Sequence, residues 1–207
     1  MNKIYKKLAF FMLINIANVN YANNIKNCEI NCDAKFGNII GKNNLTRAYS
    51  NCNDKCVSNK SNFLKIKNYK NIYTGMKWQC VEYARRWLIE NKGYTFDDVK
   101  YAYQIWDLKS AKNIYTNKTK EIKHFTNTKT KTIPKEGDLL IQDNTYSHTG
   151  HIAIVTSTHD KYILIAEQNY TNKKWENKSS SRKLSLKKND KGIYTVSDKT
   201  IIGWMRI

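Results

Sequence analysis

Proline is almost missing from this chain: Pro134 is the one copy in 207 residues, and glycine occurs eight times. That excludes a proline-rich linker, a collagen-like repeat and wholesale low-complexity disorder. Long apolar runs are lacking too. The best, Leu8 to Ala17, is interrupted by Asn15 and falls short of the roughly 20 residues of a membrane-spanning helix. Acidic residues are scarce, 17 Asp and Glu against 36 Lys and Arg, for a formal charge of +19. A chain this basic associates with polyanions, whether nucleic acid, anionic lipid or an anionic cell envelope, and charge alone does not choose among them. No arginine stripe with interleaved aromatics stands out, so no nucleic-acid partner is expected. Hydrophobic residues make up 41%, enough for a core, and the length fits one domain plus a small appendage.

What is present begins with residues 1–22, which read as an export signal. Lys3, Lys6 and Lys7 form a positive start, the short apolar run follows, and Ala22 offers a small residue for cleavage. An uncleaved anchor or a disordered tail is the alternative. The expected location is periplasmic or secreted, with no transmembrane span in the mature chain. Residues 23–62 hold Cys28, Cys32, Cys52 and Cys56. Each pair is spaced C-x3-C, which sets both sulfurs on one face of a helix. This predicts a helical hairpin stapled by nested disulfides, Cys28–Cys56 and Cys32–Cys52. A four-cysteine zinc site competes, although such sites more often use C-x2-C knuckles.

The fifth cysteine, Cys80, has no partner left. It stands where an apolar-periodic run begins, and Cys80, Ala84, Trp87 and Asn91 share one helical face ended by Asn91-Lys92-Gly93. A thiol in the first turn of a helix meets the positive end of the macrodipole and unpaired N–H groups, which favour thiolate. The plain alternative is a small buried residue anchoring the helix. A second helix is expected over Asp97 to Ala111, then a polar connection over Lys112 to Lys135.

The pattern then turns to strands: Gly137 to Ile141, His151 to Thr156, Lys161 to Gln168, Lys183 to Leu186, Ile193 to Val196 and Ile201 to Arg206. Helices followed by an antiparallel sheet predict an α+β domain over residues 63–207. A thiol nucleophile needs a base and a group that orients the base. Of four histidines, His151 is placed best, opening a strand directly after Gly150. If the strands at 151–156 and 161–168 pair through their short turn, Glu167 lies across from His151; Asn169 is a second orienter. His148 and His151 with Asp143 or Asp138 make a weaker metal alternative.

Four blocks now carry a resemblance: Trp78-Gln79-Cys80-Val81-Glu82-Tyr83-Ala84-Arg85-Arg86-Trp87, Thr149-Gly150-His151-Ile152-Ala153-Ile154-Val155, Ile165-Ala166-Glu167-Gln168-Asn169 and Gly203-Trp204-Met205. In this order they resemble the CHAP family, most of all the amidase domain of glutathionylspermidine and trypanothione synthetases. The resemblance implies a papain-like fold of the NlpC/P60 type and cofactor-free amide hydrolysis. It implies Cys80 as nucleophile, His151 as base and Glu167 as orienter, with Arg85 binding a substrate carboxylate. Gln79 and Asn169 are oxyanion candidates beside the Cys80 N–H. The expected substrate is a peptidoglycan amide, with a glutathionylspermidine-like conjugate as the alternative. A non-catalytic binding module on the same fold is the third reading.

Overall fold

The computed structural model describes residues 28–67, 71–145 and 147–207. The expected export segment, residues 1–22, lies outside them. Chain order gives β1 (Ile39–Asn43), β2 (Thr46–Tyr49), β3 (Ser61–Lys65), β4 (Asn71–Met76), α1 (Cys80–Lys92), β5 (Tyr94–Thr95), a 3-10 helix (Ala102–Asp107), β6 (Ser110–Asn113), β7 (Thr119–Glu121) and β8 (Lys123–Thr126). Then come β9 (Leu139–Gln142), β10 (His151–Thr158), β11 (Tyr162–Ala166), β12 (Arg182–Lys188), β13 (Tyr194–Val196) and β14 (Ile201–Arg206).

The main sheet runs β13-β12-β11-β10-β9-β14-β8 with antiparallel pairings. Alternate residues along its strands feed two cores. Leu139, Ile141, Ile152, Ile154 and Met205 face α1, which supplies Tyr83, Ala84, Trp87 and Leu88. Leu140, Ala153, Val155 and Trp204 face the other way and meet Ile163, Ile165, Leu184, Leu186 and Val196. Each fully buried Leu or Ile contributes about 1.5–3 kcal/mol. Among the described residues the second core has no helical layer, because the sheet curls onto itself. The chain leaving β8 is bonded to β13 at the opposite edge: Asn127 donates to Val196 O and accepts from Val196 N. Thr128 N donates to Tyr194 O, and Tyr194 N to Thr130 O.

Among the described residues one α-helix, not several, packs on the sheet, so the domain is mostly β. The run expected to be a second helix is the 3-10 turn followed by β6. Val99, Ala102, Ile105 and Leu108 recur every third residue, which suits the 3-10 repeat better than 3.6; Ala102 and Ile105 are buried. The polar connection at 112–135 carries β7 and β8.

The helical hairpin is also corrected. Disulfides join Cys28 to Cys56 and Cys32 to Cys52. Between them runs not a pair of helices but turns and the β1–β2 hairpin. Asn, Asp and Gly crowd this stretch and bond their own backbone in turns, overriding a spacing that helices merely permit. Next, β3 pairs with β4 and straddles the expected boundary at 62/63. Among the described residues no helix is long and apolar enough to cross a membrane.

Candidate active site

Helix α1 begins at Cys80 because Gln79 is extended (φ −83°, ψ 160°) and makes no side-chain cap. The first-turn N–H groups are thus left to other acceptors. The helix stops at Gly93, whose φ of 70° lets its N–H reach back to Ile89 O and Leu88 O. Cys80 is 9% exposed and is the one free cysteine among the described residues.

His151 opens β10 against the helix start. Gly150 before it has φ 66°, and a Cβ there would lie 2.7 Å from Gln142 O and 2.8 Å from Tyr103 Cβ. Only glycine lets the chain pass so close to the 3-10 turn and deliver the imidazole. His151 Nε2 bonds Glu167 Oε2 at 3.0 Å, and His151 and Cys80 line the same hollow, near enough for the imidazole to act on the thiol. With Nε2 on the carboxylate, Nδ1 is the ring nitrogen left for the thiol.

Electrostatics follow from this order. Burial alone would push the Cys80 thiol up; the facing His151 and the backbone of Ile152 and Val81 outweigh burial and hold it below its usual value. Burial would lower His151, but Cys80 and Glu167 push it up to about 9. Burial would raise Glu167, but hydrogen bonds from His151 and Arg182 bring it down to about 2. The shifts run together toward a thiolate–imidazolium pair steadied by a carboxylate, the electrostatic setting that favours a thiol as nucleophile.

Cys80 and Gln79 line two hollows. One, of about 640 Å3, is also lined by Asp33, Asn53, Thr149, His151 and Asn169. The other, of about 400 Å3, is also lined by Tyr73, Met76, Asp98, Tyr101 and Thr149. Gln79 Oε1 accepts from Asn169 Nδ2 at 2.9 Å, and both amides stand beside the thiol. Arg85 is placed elsewhere. Its side chain is 2% exposed and donates to Thr74 O, Phe96 O, Asp97 O and Asp98 Oδ1, and it lines neither hollow. The metal alternative does not assemble: Asp138 is paired with Arg206, and no metal-sized group of His, Cys, Asp or Glu occurs among the described residues.

Sequence reasoning missed three supports. Arg182 Nε and Nη2 grip Glu167 at 2.6 and 2.9 Å. Ser181 Oγ donates to Glu167 Oε1 at 3.1 Å. Asn51, fully buried, accepts from Trp78 N at 3.3 Å and Gln79 Nε2 at 3.5 Å. A signal for Arg182 existed. The chain has five arginines, the other basic residues being lysine. Four of them (Arg85, Arg86, Arg182 and Arg206) hold a carboxylate. In so lysine-rich a chain, arginine marks places that need a planar fork.

A helix-start thiol, a strand-borne imidazole and a buried carboxylate at one cleft define a domain of the thiol–imidazole–carboxylate class. More particularly, residues 71–169 match the CHAP domain family, and the chain carries a CHAP domain there. Trypanothione synthetase from Crithidia fasciculata is 38% identical over 152 residues, 73% of this chain and 22% of that protein. The bifunctional glutathionylspermidine synthetase/amidase of Escherichia coli (strain K12) is 36% identical over 140 residues, 64% of this chain and 22% of that protein. Glutathionylspermidine synthase from Crithidia fasciculata is 26% identical over 64% of this chain and 19% of its own length. The chain thus spans about a fifth of the relatives it matches.

Proposed function

We propose that the protein is an exported cysteine amidohydrolase with a papain-like arrangement of its site. The observation that carries this is His151 bonded to the buried Glu167 carboxylate and lining one hollow with the free Cys80 thiol. Thiolate Cys80 attacks the amide carbonyl carbon. The oxyanion is met by the Cys80 N–H with Gln79, which Asn169 steadies. His151 gives its proton to the nitrogen as the C–N bond breaks, leaving a thioester and a free amine. Water, deprotonated by His151, then attacks the thioester; the acid departs and the thiol is restored. The proton donor dictates direction: the leaving amine occupies the hollow that His151 lines, and the acyl portion occupies the one bounded by Tyr73 and Tyr101.

Export is supported by the leader-like residues 1–22 and by two disulfides, which persist in oxidising compartments. A peptidoglycan amide is the favoured substrate, because an exported protein of charge +19 meets an anionic envelope. A glutathionylspermidine-like amide is the second reading, supported by the amidase named among the relatives. Purified sacculi and glutathionylspermidine, incubated separately with the protein, separate the two by mass spectrometry of the products. New amine and carboxylate ends from sacculi are expected. Cleavage of the conjugate alone moves the substrate to the second reading, and activity on neither points to a binding module.

A further inference from the structure

We infer that Arg182 is a positioning residue of this site, fixing the plane and charge of Glu167 so that His151 can hold the Cys80 thiolate. The inference rests on the catalytic reading of Cys80, His151 and Glu167, and it reaches beyond the matched CHAP span, which ends at residue 169.

The geometry is that of a fork on a carboxylate. Nε meets Oε1 at 2.6 Å and Nη2 meets Oε2 at 2.9 Å, two parallel charge-assisted bonds that fix the carboxylate plane. With Ser181 Oγ on Oε1 and His151 Nε2 on Oε2, each oxygen takes two bonds. No lone pair is left to let the group turn. The pair is desolvated, with side-chain exposures of 20% and 3%. The guanidinium is itself held: it lies 3.6 Å from the Tyr170 ring centroid, and that ring stands 5.3 Å from the His151 ring. Backbone pairing secures the origin of the arm. Arg182 opens β12 opposite Ile165 of β11, two residues before Glu167. Two adjacent strands therefore present the two halves of the fork.

Two consequences follow from removing the arginine, and both act in one direction. A buried carboxylate that loses its cation takes up a proton at higher pH, and once neutral it no longer anchors the imidazolium. With less imidazolium at His151, the thiolate loses part of the positive charge that faces it. Each effect raises the pH at which Cys80 becomes thiolate.

Alkylation of Cys80 by iodoacetamide reads this without any substrate. In Arg182→Gln the acid limb of the rate profile should move up by about one pH unit. With a cleavable substrate, kcat should fall about a hundredfold while KM stays near its original value, as expected of a misplaced catalytic group. Arg182→Lys keeps the charge but not the fork, and should recover the acid limb more fully than kcat. A folded Arg182→Gln protein with the wild-type alkylation profile overturns the inference. Should that variant not fold, Arg182→Lys decides, and an unchanged kcat there counts against it equally. A wild-type protein that cleaves nothing yet shows the shifted profile on substitution separates failure of the substrate reading from failure of this one.

Discussion

Two regions of this molecule are stabilised by different means. The sheet and α1 bury Trp87, Leu139, Ile141, Ile152, Ile154 and Trp204 almost completely. The stapled segment, residues 28–57, leaves Ile30, Ile39, Leu45 and Val57 more than half exposed. It joins the core through Ile40 and Ala48 and is held otherwise by two disulfides and by side-chain amides. Small stretches that cannot bury enough apolar surface commonly rely on such covalent closure. Yet the segment is not a detached appendage. Asn51 Oδ1 braces Trp78 and Gln79 at the start of α1. Asn172 Oδ1 accepts from Asn51 N, and Gln168 Oε1 from Tyr49 N. The proposed chemistry lies in the core, and part of its mounting lies in the staple.

The sharpest way to separate the two is Cys80→Ala. Turnover should vanish while the thermal midpoint stays close to wild type, because no large cavity is made; retained activity would remove the nucleophile from the core. Trp87→Ala tests where stability resides. It should cost about 3–5 kcal/mol in urea denaturation, the toll of emptying a large buried site. Replacing Cys32 and Cys52 together with serine opens a loop with a sequence separation of 20, at a cost of about 3 kcal/mol. The far-UV spectrum of the sheet should survive and kcat should drop; unchanged kcat would make the staple a bystander. Asn51→Ala, which unpairs Trp78 N and Asn51's own partners, should cost about 1–3 kcal/mol, with a smaller loss of kcat.

The gentlest probe is pH. The pKa of His151 is raised to about 9 from its ordinary 6.5. Its contribution to stability is full below pH 6.5 and is lost as pH climbs through about 9. The Glu167 value is lowered to about 2 from 4.5. Its contribution is full above pH 4.5 and is lost as pH falls through about 2. A plateau of stability between these limits, sloping away on both sides, is the expected denaturation profile. In Glu167→Gln the acid slope should shrink.

Much of the core was readable because its signals are local. The apolar period from Cys80 and the glycine at 93 gave α1 both of its ends. The β-branched run after Gly150 gave β10, and Ile201–Arg206 gave β14 to the residue. The meeting of His151 and Glu167 was legible in kind, though not in register. A direct opposition across the hairpin was expected. Instead the turn falls later in the chain, with Thr158 opposite Ile163 and His159 N bonded to Tyr162 O; the ladder ends at Ile154 and Ala166, and the two side chains meet beyond it. The polar residues around the turn allow more than one position for it. Arg182 was hidden for another reason: its role depends on β12 returning beside β11, a contact between strands with a long loop between them. The staple misled because C-x3-C is compatible with a helix without demanding one, and Asn-rich turns took the backbone instead.

One feature of the topology bears on how the protein is made. β14 is the last strand in sequence, but it lies between β9 and β8, inside the sheet. On the ribosome, β8 and β9 therefore wait with unfilled edges until Ile201–Arg206 has emerged. The sheet closes, and Met205 and Trp204 reach their two cores, only after synthesis of that strand. Until then His151 and Cys80 do not face each other on a finished sheet.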